Sequence, residues 1–245
     1  MLSIVIIAKN EEHNLPDLLA SIKGQTVQPD EIIVADAKST DKTREIARAA
    51  GCKVIDGGLP SVGRNLGAKA ATQEYVLFLD ADVQLLDPKL LETSMKEMKR
   101  RKLDFATYDV APLDGGIFDE ISHWFYNKYC RIIAPLHQHA AGFCILVRRE
   151  FHERVGGFDE QITFAEDHEY AVRANKAGKY GILSPVIHTS VRRFDRDGRF
   201  NIAIKYILAE LHFWFIGPIY GDKFKYKMVF SKEEREAEKK KKRKS

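Results

Sequence analysis

Asp80 and Asp82 close the run Tyr75-Val76-Leu77-Phe78-Leu79, with only the small Ala81 between them. A continuous apolar run of this kind reads as a strand buried on both faces, as in a parallel sheet. In open α/β sheets ligands bind beyond the carboxyl ends of the strands, so both carboxylates fall where a ligand would sit. Unpaired and buried they would be costly, and a divalent cation held through oxygen ligands is the simplest partner. Residue types alone leave a second reading open, in which one Asp caps the next helix and the other is solvated.

Such a site needs elements to hold it. Leu2–Ile7, Glu31–Ala35, Cys52–Ile55 and Glu74–Leu79 are predicted strands. Between them, helices are predicted over Asn10–Gly24, after the capping residues Ser39-Thr40-Asp41 as far as Gly51, and over Ser61–Ala71. This βαβ alternation predicts a parallel sheet with right-handed crossovers. The second half is less regular. It reads as a helix over Pro88–Arg101, a strand over Leu103–Val110 and a helix over Ile117–Ile133. Ile117, Phe118, Ile121, Trp124, Phe125, Tyr129 and Ile132 give that last helix a wide apolar face. A strand at Phe143–Arg148, helices at Arg149–Val155 and Glu166–Ala177, and an edge strand at Tyr180–Leu183 follow.

At 245 residues the chain is long enough to bury a core without disulfides or structural metal. Cys52, Cys130 and Cys144 match no zinc or redox spacing and read as buried free thiols of a reducing compartment. The N-terminal Met1-Leu2-Ser3-Ile4 lacks a basic n-region and is not read as a signal peptide, and no span of 18 or more apolar residues free of charge occurs. A cytoplasmic location is expected. The segment Lys232–Lys244 carries eight basic and four acidic residues, the whole of the +4 excess. The division expected is a main domain over 1–198, an apolar helical extension over 199–230 and a basic, disordered tail over 231–245.

Asn201–Ile216 is so apolar that Asn201, Lys205, Glu210 and His212 leave only a narrow polar stripe. A helix of that kind must be covered by lipid in the interfacial plane, by a second subunit (a homodimer) or by the protein's own body. The aromatics and the basic tail favour peripheral contact through 201–245 with the cytoplasmic face of the membrane. Nucleic acid is not expected as a partner.

Several stretches, taken in order, resemble the family 2 inverting glycosyltransferases. They are Ser3–Glu12 (SIVIIAKNEE), Val34–Thr43 (VADAKSTDKT), Arg64-Asn65-Leu66-Gly67-Ala68 and Asp80-Ala81-Asp82, then Gly156–Glu160 (GGFDE) and Glu166-Asp167. The resemblance covers about residues 2–195. It implies a nucleotide-diphospho-sugar transferase (GT-A) fold, a mostly parallel mixed α/β sheet flanked by helices, here with a C-terminal amphipathic helix. It also implies a nucleotide-sugar donor and Mg2+ or Mn2+ at the Asp-x-Asp motif.

By that resemblance Asp82 is the closer metal ligand and Asp80 bridges toward ribose or metal. Ala8, Asn10 and Glu11, with Asp36, cup the base and ribose. Arg64 contacts base or diphosphate. Ala81 lies between the two acids. Asp167 is the candidate base, taking the proton of an acceptor hydroxyl as it attacks the anomeric carbon, with Glu166 orienting the acceptor or raising its neighbour's pKa. His188 is a candidate third metal ligand. His137 and His139 are pocket candidates and not a metal pair, and Arg192 and Arg193 belong to a mobile loop ending near Gly198 that closes over the diphosphate. Each position has a plainer reading as a cap, a surface ion pair or a packed residue. Where many relatives carry a second acid linked to uracil, this chain has Ala37 and then Lys38, which leaves UDP, GDP or another nucleotide open.

The expected activity is metal-dependent, inverting transfer of one sugar to a hydroxyl acceptor, a glycan or a lipid-linked one. Processive synthesis is disfavoured because no Gln-x-x-Arg-Trp occurs, and a dinucleotide oxidoreductase because no Gly-x-Gly-x-x-Gly follows a strand. A haloacid-dehalogenase-like phosphatase, with Asp80 as nucleophile, and a non-catalytic sugar-nucleotide scaffold at the membrane remain as alternatives.

Overall fold

The computed structural model describes residues 1–134, 138–162 and 164–220. β1 (Leu2–Ala8), α1 (Leu15–Lys23), β2 (Glu31–Asp36), α2 (Thr43–Ala49), β3 (Lys53–Asp56), α3 (Pro60–Ala70) and β4 (Tyr75–Asp80) follow one another in strict alternation. β1 pairs in parallel with β2 on one side and β4 on the other, and β3 lies outside β2. β1 and β4 are apolar and buried on both faces, which a sheet with helices on both sides requires. α3 presses on β1 at Gly67, where a Cβ would stand 2.2 Å from Val5 Cγ1.

The second half holds β5 (Val83–Gln84), α4 (Leu90–Arg101), β6 (Phe105–Pro112), α5 (Ile117–Ile133), β7 (Cys144–Arg148) and α6 (Arg149–Arg154). α7 (Glu166–Asn175), β8 (Tyr180–Thr189), α8 (Arg192–Asp197) and α9 (Arg199–Phe215) complete it. The described strands form one mixed sheet of order β3-β2-β1-β4-β7-β6-β8-β5. β7 runs antiparallel to both β4 and β6, β8 parallel to β6, and β5 antiparallel to β8. One core packs Ile4, Ile6, Leu77 and Leu79 against Leu15, Leu18 and Met98. The opposite face packs Val5, Phe78 and Phe105 against Phe151, Phe158 and Tyr170.

Four expectations need correction. α1 starts at Leu15, not Asn10, because Asn10 takes a left-handed conformation (φ 56°) that no helix continues. β8 is not a four-residue edge strand. It runs to Thr189 with a register break beside Tyr108 and Asp109 that absorbs Pro185, and β5 lies outside its last two residues. His188 therefore sits inside β8 rather than after it. Arg192 and Arg193 begin the short helix α8, not a loop.

α5 is inverted relative to an ordinary surface helix. Asp119, His123 and Cys130 face inward, while Ile117, Trp124, Phe125 and Ile132 are exposed. Polar pairing drives this orientation. β6 meets β7 only at Phe105 and Ala106, and Asn127 takes over the backbone N–H and carbonyl of Val110 further along (3.0 and 2.8 Å). α9 lies beside α5. Arg199 makes a two-armed pair with Asp119 (2.9 and 2.8 Å), and Phe200 meets Phe118 at 6.1 Å between centroids. Ala209 and Phe213 pack with Phe164 and Ile219, so the protein's own body covers part of α9. Ile204, Ile207, Leu211 and Phe215 remain exposed. No helix among the described residues is long and apolar enough to cross a membrane. The basic tail lies outside the described residues.

Candidate active site

Register alone brings the first set of residues level. Ala8 pairs with Asp36 and Ile7 with Asp80, so β1, β2 and β4 end together at one rim. β7 begins at the same rim, with Cys144 opposite Leu79, and β8 ends there.

At the β1–β2 end, two loops are stitched together. The Asn10 N–H donates to Ser39 Oγ (2.8 Å), and Asn10 Oδ1 accepts from the Thr40 N–H (2.8 Å). The Glu11 N–H donates to Thr43 Oγ1 (2.8 Å). Asp36 is fully buried. Its Oδ2 accepts from the Ser39 N–H (3.1 Å) and Arg44 Nη1 (3.0 Å), whereas Oδ1 has no hydrogen-bond partner. A buried acceptor left open in this way calls for a donor from outside the chain.

The centre of the rim is built around Arg64, projected from α3 and 3% exposed. Nη2 donates to Asp80 Oδ1 (3.0 Å) and Nη1 to Glu166 Oε1 (2.7 Å). The guanidinium lies across Gly142, where a Cβ would stand 2.9 Å from Nη2. Burial disfavours its charge, but Asp80, Glu166 and Asp167 outweigh this and raise its pKa further. Asp167, next to Glu166 at the start of α7, accepts from the Gly142 N–H at Oδ2 (2.8 Å) and from the His168 N–H at Oδ1 (2.9 Å). Burial raises the pKa of Asp80, Glu166 and Asp167, against the opposing pull of Arg64.

Asp82 lies to the side. Arg192, from α8, bridges it (3.2 Å) to the Glu11 carboxylate. Burial raises the pKa of Asp82, opposed by Arg192 and assisted by Glu11. The Ser190 N–H donates to the Asp82 carbonyl (3.0 Å), which sets the end of β8 beside the acid. His188 Nδ1 is buried without a hydrogen-bond partner, and burial lowers its pKa. Two carboxylates and an imidazole nitrogen without a hydrogen-bond partner are donor types that a divalent cation takes. The donor atoms of Asp80, Asp82 and His188 are not, however, gathered within 4.8 Å of one another. Arg192 and Arg64 hold the two acids instead.

The chain thus brings Ala8, Asn10, Glu11, Asp36, Arg64, Asp80, Ala81, Asp82, Glu166 and Asp167 to one rim. Arg64 is turned to carboxylates in this structure. His139 is buried and meets Glu210 of α9, a residue read from the sequence as part of a narrow polar stripe. His137 lies outside the described residues. Arg44 and the Gly142 N–H were not foreseen. Arg44 has no motif to mark it, whereas Gly142 lies just after the pocket candidates His137 and His139.

The family described as "Glycosyl transferase family 2" matches residues 3–156. The chain is 36% identical over 110 residues to 4,4'-diaponeurosporenoate glycosyltransferase of Staphylococcus haemolyticus (strain JCSC1435), covering 41% of this chain and 29% of that protein. It resembles in fold the mannosyltransferase PcManGT from Pyrobaculum calidifontis, solved in complex with GDP-Man and Mn2+ (TM-score 0.68, 19% identity, 91% of this chain and 66% of that one). It also resembles S. aureus TarS 1-349 in complex with UDP-GlcNAc (TM-score 0.62, 21% identity, 86% of this chain and 66% of that one). The chain therefore spans less than a third of the first of these proteins and about two thirds of the other two.

Proposed function

The chain belongs to glycosyl transferase family 2, and from that premise we propose that it moves a single sugar from a nucleotide-diphosphate sugar to a hydroxyl acceptor, with inversion and with Mg2+ or Mn2+. The observation that carries this reading is the Arg64 bridge, which joins Asp80 at the end of β4 to Glu166, beside Asp167 at the start of α7, across one rim. Donor and acceptor chemistry then share a single cleft. Family membership removes the phosphatase alternative.

Asp36 Oδ1 accepts a donor from base or ribose, and Glu11 a ribose hydroxyl. Asp167 removes the proton of the acceptor hydroxyl as its oxygen attacks the anomeric carbon. The Gly142 N–H orients that carboxylate, and Glu166, held by Arg64, fixes the turn that carries it. Asp82, Asp80 and His188 would hold the cation, which when bound stabilises the negative charge developing on the diphosphate leaving group. Arg192 occupies the acids until then and is free to follow the diphosphate. The similar folds solved with GDP-Man and Mn2+ and with UDP-GlcNAc support a sugar nucleotide and a divalent ion without choosing the base.

The catalytic unit is 1–198, with the helical extension after Gly198. The exposed apolar faces of α5 and α9 rest on the cytoplasmic face of a membrane and bring the rim to a lipid-linked acceptor. A homodimer through α9 would hide much of the same surface.

Titration of sugar nucleotides with Mn2+ or Mg2+, read as thermal stabilisation, tests the proposal. Asp82→Ala should abolish the metal-dependent part of donor binding. Normal metal-dependent titration of that variant would remove Asp82 from the cation site.

A further inference from the structure

Behind the rim, side chains from three separate parts of the chain converge. His139, in the segment leading into β7, places Nε2 2.8 Å from Oε2 of Glu210 on α9. His168, in the first turn of α7, places Nδ1 3.6 Å from the same oxygen. One donor atom from each of the three lies within 4.8 Å of the others, and no other such group of His, Cys, Asp or Glu occurs among the described residues. We propose that His139, His168 and Glu210 bind a divalent first-row transition ion, Zn2+ by donor chemistry, which pins α9 to the start of α7.

Two imidazole nitrogens and one carboxylate oxygen are a donor set that Zn2+ uses, with a fourth position left to water. Ligands about 2.0–2.2 Å from a tetrahedral ion stand roughly 3.3–3.6 Å apart. The 3.6 Å separation lies at the top of that range and the 2.8 Å one falls short of it, so the His139–Glu210 pair opens by about 0.5 Å to admit the ion.

The surroundings are those of a built site. Glu210 Oε1 accepts from the Tyr129 hydroxyl and from Trp214 Nε1, each at 2.7 Å, which leaves Oε2 for the imidazoles. Outer partners of this kind orient a metal-binding carboxylate. The Tyr180 hydroxyl donates to the His139 carbonyl (2.6 Å) and fixes its backbone. Tyr129 stands edge-on to His139, with centroids 5.4 Å apart, and Phe213 packs on His168 at 5.8 Å. Aromatic rings therefore flank the polar donors.

This donor set differs from the one proposed for the rim. Two imidazoles and one carboxylate favour Zn2+, whereas the rim's two carboxylates and one imidazole suit the harder Mg2+ or Mn2+. Its role is positional. His168 follows Asp167 directly, so holding its ring holds the turn that presents Asp167, and tethers it to the helix with the exposed apolar face.

The test uses the tag-free full chain, stripped with a chelator and titrated with Co2+ alone. One equivalent should give the visible absorption of four-coordinate Co2+ and be displaced by Zn2+. His168→Ala and Glu210→Gln should lose the signal, and Asp82→Ala should keep it. X-ray absorption at the zinc edge on the unsubstituted protein reads the ligands even if those variants do not fold. Two imidazoles and light oxygen ligands support the site, and an oxygen-only shell overturns it. Failure of the unsubstituted chain to take up Co2+ or Zn2+, or full uptake by both variants, reduces the cluster to an ion pair.

Discussion

Arg64 and Glu166 are 102 residues apart in sequence and 2.7 Å apart at the rim. The same guanidinium holds Asp80 at 3.0 Å, so a single buried cation joins the first βαβ half of the chain to the second half. Such a pair is stable only while both partners are present, because a lone buried charge is far more costly than the pair.

Arg64→Met should lower stability by about 3–5 kcal/mol, the usual consequence of breaking a buried pair from one side, measured by denaturant unfolding at pH 7. Its effect on activity has a definite sign. Burial raises the Asp167 pKa and Arg64 pulls it down, so removing Arg64 raises it further. A base must be unprotonated, so the acidic limb of the kcat/KM profile should move to higher pH. An unmoved limb would separate Asp167 from the proton transfer.

Asp167→Asn keeps the shape and loses the base. Turnover should fall roughly 10²–10⁴-fold, the range for losing a general base, with donor affinity unchanged by calorimetry. Full turnover would favour another base, and absent turnover in the unsubstituted protein with every donor bound would favour the scaffold alternative.

The exposed helix faces make a separate prediction. Phe125 on α5 and Phe215 on α9 are 61% and 83% exposed. Burying one such side chain in an apolar medium is worth about 1.5–3 kcal/mol. Phe125→Asp and Phe215→Asp should each weaken binding to anionic vesicles by at least about tenfold in co-sedimentation. Unchanged sedimentation, together with a dimer-to-monomer shift in the variants, would assign the faces to a second copy of the chain.

Gly67→Ala tests the scaffold beneath the rim. The added methyl would meet Val5 Cγ1 at 2.2 Å, and overpacking of this kind costs about 1–3 kcal/mol. Thermal unfolding should report the loss; a variant as stable as the parent would mean that α3 can lift from β1.

The first half of the fold was legible because its chemistry is local. Apolar runs marked β1, β2 and β4, and glycine and capping residues marked their ends, so Asp36, Asp80 and Asp82 could be set at a rim from sequence alone. The second half was harder because tertiary contacts decide it. β8 continues through Pro185 only because β6 runs alongside and a register break absorbs the proline. α5 turns its aromatic side outward because Asn127 and Asp119 have partners that no periodicity discloses. Arg64 could be identified as a site residue, but not as the bridge to Glu166. Glu210 stood out only as part of a narrow polar stripe, because the imidazoles that hold it lie 42 and 71 residues away in the chain.

The reversal of β7 against β4 has a further consequence. β6 ends and β7 begins on the same side of the sheet, so the excursion over residues 113–143 leaves and re-enters at one place. Its length and surface can change without displacing a single rung of the ladder that aligns Asp36 with Asp80. The outward face it carries on α5 is open to exchange, while its end at Gly142 stays tied to Asp167 and Arg64.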